Sequence, residues 1–111
     1  MDVGIDIVEI KRIAKSVRKS GFLNRVFTPQ EIKYCRAKKQ SSQHYAVRFA
    51  AKEAVWKALG RKGIALKEIS VKNSPDGKPE IVLAKLKKLE KRVSISLSHS
   101  SEYAVAVAIV I

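Results

Sequence analysis

Residues 48–60 read Arg-Phe-Ala-Ala-Lys-Glu-Ala-Val-Trp-Lys-Ala-Leu-Gly, and this stretch decides the fold. At 100° per residue it predicts a helix that collects small apolar side chains on one side: Val47, Ala51, Ala54, Val55 and Ala58. Alanines in such a stripe permit close approach to a sheet or to another helix. Ser41 or Ser42 is expected to cap the start of this long helix, and Gly60 fits the position just past its end.

Glu53 precedes Lys57 by four residues, so the two side chains share one face of this helix. An exposed ion pair, which contributes well under about 1 kcal/mol, is the simplest interpretation. A second interpretation arises because Asp6 lies within the apolar run Val-Gly-Ile-Asp-Ile-Val at residues 3–8. This run predicts a strand in which Asp6 projects to the face opposite Ile5 and Ile7.

An acid in such a strand costs free energy unless it is paired, protonated or bound to a metal. A strand carboxylate and a helix carboxylate can together hold one divalent cation, and a nearby lysine can neutralise phosphate. The residues alone leave the two interpretations of the Glu53–Lys57 pair open.

The remaining segments predict a small α+β domain spanning residues 1–111. Helices are expected at 9–20, from a capping box at Thr28-Pro29-Gln30-Glu31 to about Lys39, and as one or two turns within 85–92. Strands are expected at 66–72, 80–83, 93–98 and 103–111, with a hairpin turn at 73–79. The fold class is therefore a small antiparallel sheet packed on one long helix plus shorter helices. The last strand is apolar on both faces, which favours burial by the helix and by another subunit.

The charge balance points to an anionic partner. Lys and Arg number 23 against 10 Asp and Glu, for a net charge of +13. Nucleic acid, a membrane surface, a phosphorylated ligand and an acidic protein all fit such a charge, while lysine-rich surfaces also occur in heat-adapted proteins. No acid lies between Lys11 and Lys19, so that helix presents either a solvated face or a docking surface for an acidic partner. Three Phe, three Tyr and one Trp form no alternating stacking platform, which argues against a nucleic-acid-binding protein.

The single cysteine, Cys35, excludes an intrachain disulfide and is typical of a reducing compartment. A small half-buried apolar role is favoured for it over that of a catalytic thiol. The sequence shows no secretion signal and no apolar run near the roughly 20 residues that span a bilayer. We expect a cytoplasmic protein that binds no membrane.

Taken together, these segments resemble the holo-acyl-carrier-protein synthase family, the short group of 4′-phosphopantetheinyl transferases. The residues that carry the resemblance run in order along nearly the whole chain: Gly4-Ile5-Asp6-Ile7-Val8-Glu9-Ile10, Arg12, Phe27-Thr28-Pro29-Gln30-Glu31, Arg48-Phe49-Ala50-Ala51-Lys52-Glu53-Ala54, Lys57-Ala58-Leu59-Gly60, Asn73, Gly77-Lys78-Pro79 and Ser96-Leu97-Ser98-His99-Ser100.

The resemblance implies an enzyme of fatty acid biosynthesis. Such an enzyme moves 4′-phosphopantetheine from coenzyme A to a serine of apo-acyl carrier protein and releases adenosine 3′,5′-bisphosphate. It implies a Mg²⁺ cofactor held by Asp6 and Glu53, with Lys57 as the third catalytic residue, at the phosphates. Either a metal-bound water or a carboxylate accepts the serine proton, and the sequence does not decide between them.

The same resemblance implies binding and docking residues. Candidate contacts to the nucleotide and phosphates of coenzyme A are Arg48, Lys52, Lys78 and His99. For His99 an ordinary loop histidine is the alternative, and for Gly77-Lys78-Pro79 a plain hairpin turn. The acidic carrier protein is expected to dock on the basic helix through Arg12, Lys15 and Arg18.

The family also implies a homotrimer with active sites between subunits. A non-catalytic subunit that binds coenzyme A or carrier protein is a further alternative. The presence of Asp6, Glu53 and Lys57 argues against it.

Overall fold

The structure, a computed structural model, describes residues 1–60 and 63–111. The chain alternates short helices and strands around one long helix. In order, the elements are β1 (Asp2–Glu9), α1 (Ile10–Ser16), α2 (Phe22–Val26), α3 (Pro29–Arg36), α4 (Ser41–Ala58), β2 (Ile69–Asn73), β3 (Pro79–Leu83), α5 (Lys87–Glu90), β4 (Val93–His99) and β5 (Tyr103–Val110). The predicted α+β class is confirmed.

The main sheet has the order β1-β5-β4, with both pairs antiparallel. Its register sets Asp6 opposite Ala106, and Ile5 opposite Val107. Because neighbours across an antiparallel pair share a face, Asp6 lies on the same side of the sheet as the buried Ala106. Strands β2 and β3 form a separate hairpin, with its turn where the sequence predicts it.

Helix α4 packs on the inner face of the main sheet, where the small residues of both elements meet. Ala50, Ala51 and Ala54 are fully buried. Gly4 of β1 lies so close to α4 that a Cβ added to it would come 1.9 Å from the carbonyl oxygen of Ala54. A strand with any larger residue at this position would be held away from the helix, so Gly4 sets the distance between β1 and α4.

Two predicted cap positions are confirmed. Thr28 and Glu31 form a reciprocal capping box at the start of α3, with nitrogen-to-oxygen distances of 2.9 and 3.2 Å. Gly60 follows α4 with φ of 79°, the left-handed conformation that ends many helices. The prediction that a serine caps α4 is wrong. Ser41 is already helical, and Gln40, which precedes it, makes no capping side-chain hydrogen bond.

Two other predicted elements are shorter in the structure. Helix α1 ends at Ser16 rather than residue 20, because the chain tightens into turns and then reverses at Gly21, whose φ is 83°. The segment Leu66–Glu68 forms a 3₁₀ turn instead of the start of β2. There the Glu68 carboxylate accepts a hydrogen bond from the Ala65 N–H at 2.8 Å, which favours a local turn over strand pairing.

The part of the main sheet's outer face that β1 and β5 form is apolar and largely open in the single chain. Val3, Ile5 and Ile7 of β1 are 59%, 61% and 63% exposed. Beside them on β5, Val107 is half-buried, while Ala106 on the opposite face is buried. The helix therefore buries one face of β5, as predicted, and no described residue covers the second face beyond the half-burial that its own sheet provides. Among the described helices, none is long and apolar enough to cross a bilayer.

Candidate functional site

The clearest polar contact between β1 and α4 joins Asp6 to Lys57. The Lys57 ammonium lies 3.1 Å from Asp6 Oδ1 and donates a second hydrogen bond to the carbonyl oxygen of Ile5 at 2.9 Å. The Asp6 side chain is only 15% exposed, whereas that of Lys57 is 34% exposed. The close packing at Gly4 makes this contact possible, because it brings the inner face of β1 against the last turns of α4.

The second carboxylate oxygen of Asp6 is buried and has no hydrogen-bond partner among the described residues. A buried carboxylate oxygen without a partner is costly, and a cation is one of the few groups that removes that cost. Glu53 is half-buried on α4, one turn before Lys57. Within the described residues no three His, Cys, Asp or Glu side chains converge. Two carboxylates fit Mg²⁺, which keeps several waters and takes its other ligands from phosphates.

Lys52 is a correction to the predicted ligand contacts. Its ammonium is fully buried and lies 2.6 Å from Glu31 Oε1. It also donates to the carbonyl oxygens of Val26 at 2.7 Å and Leu66 at 3.4 Å. A buried ammonium whose three N–H groups all have partners within the chain has none left for a phosphate. Lys52 instead ties α4 to α3, to the last residue of α2 and to the turn that precedes β2.

Arg48 is also buried, at 5% exposure, but its surroundings differ from those of Lys52. Its guanidinium lies 4.0 Å from the centroid of the Tyr34 ring, and its Nε has no hydrogen-bond partner among the described residues. The Tyr34 hydroxyl in turn accepts a hydrogen bond from the Asn73 side-chain amide at 3.1 Å. Helices α3 and α4 and strand β2 thus meet around one arginine that lacks an anionic partner among the described ion pairs.

His99, at the end of β4, contacts the first turn of α4. Its Nε2 lies 3.1 Å from the side-chain nitrogen of Gln43. The neighbouring His44 has a pKa below its ordinary value of 6.5, mainly because burial disfavours the charged ring and further because Arg48, Lys38 and His99 surround it. The structure therefore brings Arg48 and His99 into one electropositive region.

Lys78 is exposed in the β2–β3 turn. It lines a cleft of about 400 Å³ between this hairpin and β4, together with Asn73, Ser96 and Leu97. Among the described contacts none joins the Lys78 side chain to Asp6, Lys57 or Arg48. Within the described part of one chain, the Lys78 side chain therefore has no contact with these other candidate residues.

Three cations predicted to dock a partner are all exposed. Arg12 and Lys15 lie on α1, and Arg18 lies in the turn that follows it. An adjoining groove of about 720 Å³ between this turn and α3 adds further cations and no carboxylate to its lining: Lys19, Lys33 and Arg36. The basic surface is therefore wider than the one helix that the sequence indicates.

Cys35 is fully buried on α3, and burial raises the pKa of its thiol to about 11. A thiol in that state supplies almost no thiolate near neutral pH. The apolar role predicted for Cys35 fits this position.

The sequence reasoning assigned no role in the site to Tyr34, and it treated Glu31 only as a capping residue. Tyr34 contacts Arg48, which lies fourteen positions later, and Glu31 contacts Lys52 across the same helix pair. Both contacts depend on how α3 packs against α4, and neither leaves a periodic signal in a single sequence. The second carboxylate oxygen of Glu31 also accepts a hydrogen bond from the Val71 N–H. This contact to a distant strand cannot be inferred from the capping motif alone.

Comparison with known proteins gives a consistent result. The profile of the 4′-phosphopantetheinyl transferase superfamily matches residues 2–108. A holo-[acyl-carrier-protein] synthase of Thermodesulfovibrio yellowstonii is 47% identical over 111 residues, covering 97% of this chain and 96% of the relative. The structure of the Helicobacter pylori holo-[acyl-carrier-protein] synthase, in complex with coenzyme A, has a TM-score of 0.84 and 39% identity, and the match covers 98% of this chain and 99% of the other. That of the Neisseria meningitidis synthase has a TM-score of 0.87 and 34% identity, with 99% and 97% coverage.

Proposed function

The chain belongs to the 4′-phosphopantetheinyl transferase superfamily, and from this premise we propose that it is a holo-[acyl-carrier-protein] synthase. It transfers 4′-phosphopantetheine from coenzyme A to a serine of apo-acyl carrier protein and releases adenosine 3′,5′-bisphosphate. The observation that carries the proposal is the contact between Asp6 and Lys57 beside a buried carboxylate oxygen that lacks a partner. This pairing of an acid with a lysine suits a reaction at a pyrophosphate.

Asp6 and Glu53 are the proposed ligands of Mg²⁺. The free Asp6 oxygen supports this assignment, because a divalent cation would satisfy it where no residue of the described chain does. When bound, the cation supplies charge neutralisation at the pyrophosphate and helps to orient it. The chain itself supplies the position of both carboxylates, which the packing of β1 on α4 holds in place.

Lys57 is the proposed contact to the phosphates. Its side chain keeps 34% exposure, so its ammonium is accessible to a ligand while it is held by Asp6 and the Ile5 carbonyl. Negative charge builds on the leaving phosphate as the serine hydroxyl attacks, and a cation fixed nearby stabilises that charge without having to reorganise. Positioning and charge together account for most catalysis of phosphoryl transfer.

Arg48 and His99 are the proposed contacts to the nucleotide end of coenzyme A, in the electropositive region at the start of α4. Lys78 is proposed to serve the same ligand from a neighbouring subunit, since no described contact joins its side chain to the other candidates within one chain. Lys52 is no longer a candidate.

Docking of the carrier protein is proposed for the exposed cations Arg12, Lys15 and Arg18. The net charge of +13 and the absence of acids between Lys11 and Lys19 suit an acidic partner. Complementary charge speeds the encounter and sets the orientation in which the serine meets the site.

A homotrimer with active sites between subunits is also proposed. Val3, Ile5 and Ile7 form an exposed apolar row beside β5, and a patch of this kind on a small protein is typical of an interface. The resemblance further carries a role in fatty acid biosynthesis and a cytoplasmic location, and both stay predictions.

The test measures release of adenosine 3′,5′-bisphosphate from coenzyme A in the presence of apo carrier protein and Mg²⁺. Asp6→Asn and Glu53→Gln are each expected to lower kcat by about 10³-fold, since several kcal/mol of charge stabilisation depend on these carboxylates. Asp2→Asn, a change of the same kind at an exposed position of β1, is the matched control and keeps the wild-type rate. Near-wild-type turnover by either site variant would overturn the metal assignment, and no turnover by the wild type would overturn the function.

A further inference from the structure

Tyr34 is surrounded by basic side chains that come from different parts of the chain. The Arg48 guanidinium lies 4.0 Å from the centroid of its ring, and the Lys38 ammonium lies 4.7 Å from it. The His44 ring meets the Tyr34 ring edge-on at 5.8 Å. The negative face of an aromatic ring attracts cations, so one tyrosine organises two cations, Arg48 and Lys38, that would otherwise repel each other.

The ring itself is held in one orientation. Its hydroxyl accepts a hydrogen bond from the Asn73 side-chain amide at 3.1 Å, and its backbone belongs to α3. A tyrosine has only two side-chain torsions, so one anchor at the far end fixes most of its freedom. Strand β2 and helix α3 thus position the Tyr34 ring against which the Arg48 guanidinium packs.

Arg48 depends on the Tyr34 ring because it has few other polar contacts among the described residues. Arg48 is only 5% exposed, and its Nε lacks a hydrogen-bond partner among the described residues. None of the described ion pairs includes it. A buried guanidinium in this state is costly and is ready to accept an anion. The charges that act on the neighbouring His44 are likewise all basic, from Arg48, Lys38 and His99.

We propose that Tyr34 is a positioning residue for the nucleotide phosphate of the substrate, holding Arg48 and Lys38 where an anionic phosphate ester meets both. The inference rests on the proposed function, since it takes coenzyme A as the ligand. Tyr34 does not itself contact the phosphate. It acts through Arg48, so that the cations are in place before the ligand arrives and binding spends less free energy on ordering them.

The experiment measures the Kd of adenosine 3′,5′-bisphosphate by isothermal titration calorimetry. Tyr34→Leu removes the ring and is expected to raise Kd by about tenfold, the size of one moderate cation–π contact. Tyr34→Phe keeps the ring and is expected to stay within about threefold of wild type. Ile32→Val, on the same helix and outside the cluster, controls for general loosening of α3 and leaves Kd unchanged.

A double-variant cycle separates positioning from packing. If Tyr34 acts through Arg48, adding Tyr34→Leu to Arg48→Met weakens binding by much less than the same change does in the wild type. Replacement of Tyr34 by phenylalanine with increasing ring fluorination preserves its shape, so the fold is retained. Because fluorine weakens the ring's negative face, Kd is expected to rise step by step with the number of fluorines.

Two results would overturn the inference alone: equal effects of Tyr34→Leu with and without Arg48, or a Kd that is independent of fluorination while the wild type binds the probe. A wild type that binds neither adenosine 3′,5′-bisphosphate nor coenzyme A would overturn the proposed function and the inference with it.

Discussion

Replacing Lys52 with methionine is expected to destabilise the fold far more than it weakens binding of coenzyme A. The change removes the ammonium that lies 2.6 Å from Glu31 and 2.7 Å from the Val26 carbonyl oxygen, while it keeps a side chain of similar length in the core. Glu31 stays fixed by the Thr28 and Val71 N–H groups, so its charge is left in a buried place without a cation.

The magnitude follows from that geometry. Removing one partner of a buried ion pair costs about 3–5 kcal/mol, because the remaining charge is neither hydrated nor paired. At about 4 °C per kcal/mol for a chain of this size, Tm is expected to fall by about 12–20 °C. The total stability of small domains is about 5–15 kcal/mol, so the variant is still expected to fold at low temperature.

Urea denaturation followed by circular dichroism gives the free energy of unfolding, and calorimetric titration gives the Kd of coenzyme A at a temperature where the variant is folded. Lys88→Met, at an exposed position, is the matched control and is expected to stay within about 0.5 kcal/mol of wild type. Adding Glu31→Gln to Lys52→Met removes the orphaned charge as well. The double variant is therefore expected to lose at least about 1 kcal/mol less than the sum of the two single changes.

The reasoning is refuted if Lys52→Met keeps the free energy of unfolding within about 1 kcal/mol of wild type while Kd for coenzyme A rises about tenfold. That pattern would return Lys52 to the ligand contacts and would mean that the buried pair with Glu31 does not form.

Three further predictions follow from other parts of the site. Gly4→Ala places a Cβ 1.9 Å from the Ala54 carbonyl oxygen, so β1 must shift; kcat is expected to fall about 100-fold, and an unchanged kcat would contradict the packing argument. The pKa of His44, followed by NMR, is expected below 6.5, so the unfolded state binds more protons between that pKa and 6.5, and stability rises with pH across this window. A His44 pKa at or above 6.5 would contradict this. Arg12→Glu is expected to raise KM for the carrier protein more than KM for coenzyme A, and equal changes would refute docking at α1.

The elements that the sequence predicts well are those with strong local signals. The alternation around Asp6 places β1 and the face on which Asp6 lies, and the Thr28–Glu31 box places the start of α3. The turn-rich segment between Asn73 and Pro79 closes a hairpin as expected. Each of these depends on residues within a few positions of one another, which is the range over which propensity and hydrogen-bonding pattern act.

The parts that the sequence does not predict depend on contacts between distant segments. Lys52 has the residue type of a phosphate contact, and only the packing of α3 on α4 turns it toward Glu31 and the core. The ring beneath Arg48 belongs to the same helix pair. Propensity also fails where a side chain competes for the backbone, as Glu68 does when it bonds the Ala65 N–H and forms a turn in place of a strand.

The most direct test of the central claim is the intact mass of an apo-acyl carrier protein after incubation with this protein, coenzyme A and Mg²⁺. The proposed function predicts a mass increase of one 4′-phosphopantetheine group, none on a carrier whose acceptor serine is alanine, and none with Asp6→Asn. An unmodified carrier after incubation with folded wild-type protein, with Mg²⁺ and again with Mn²⁺, would contradict it.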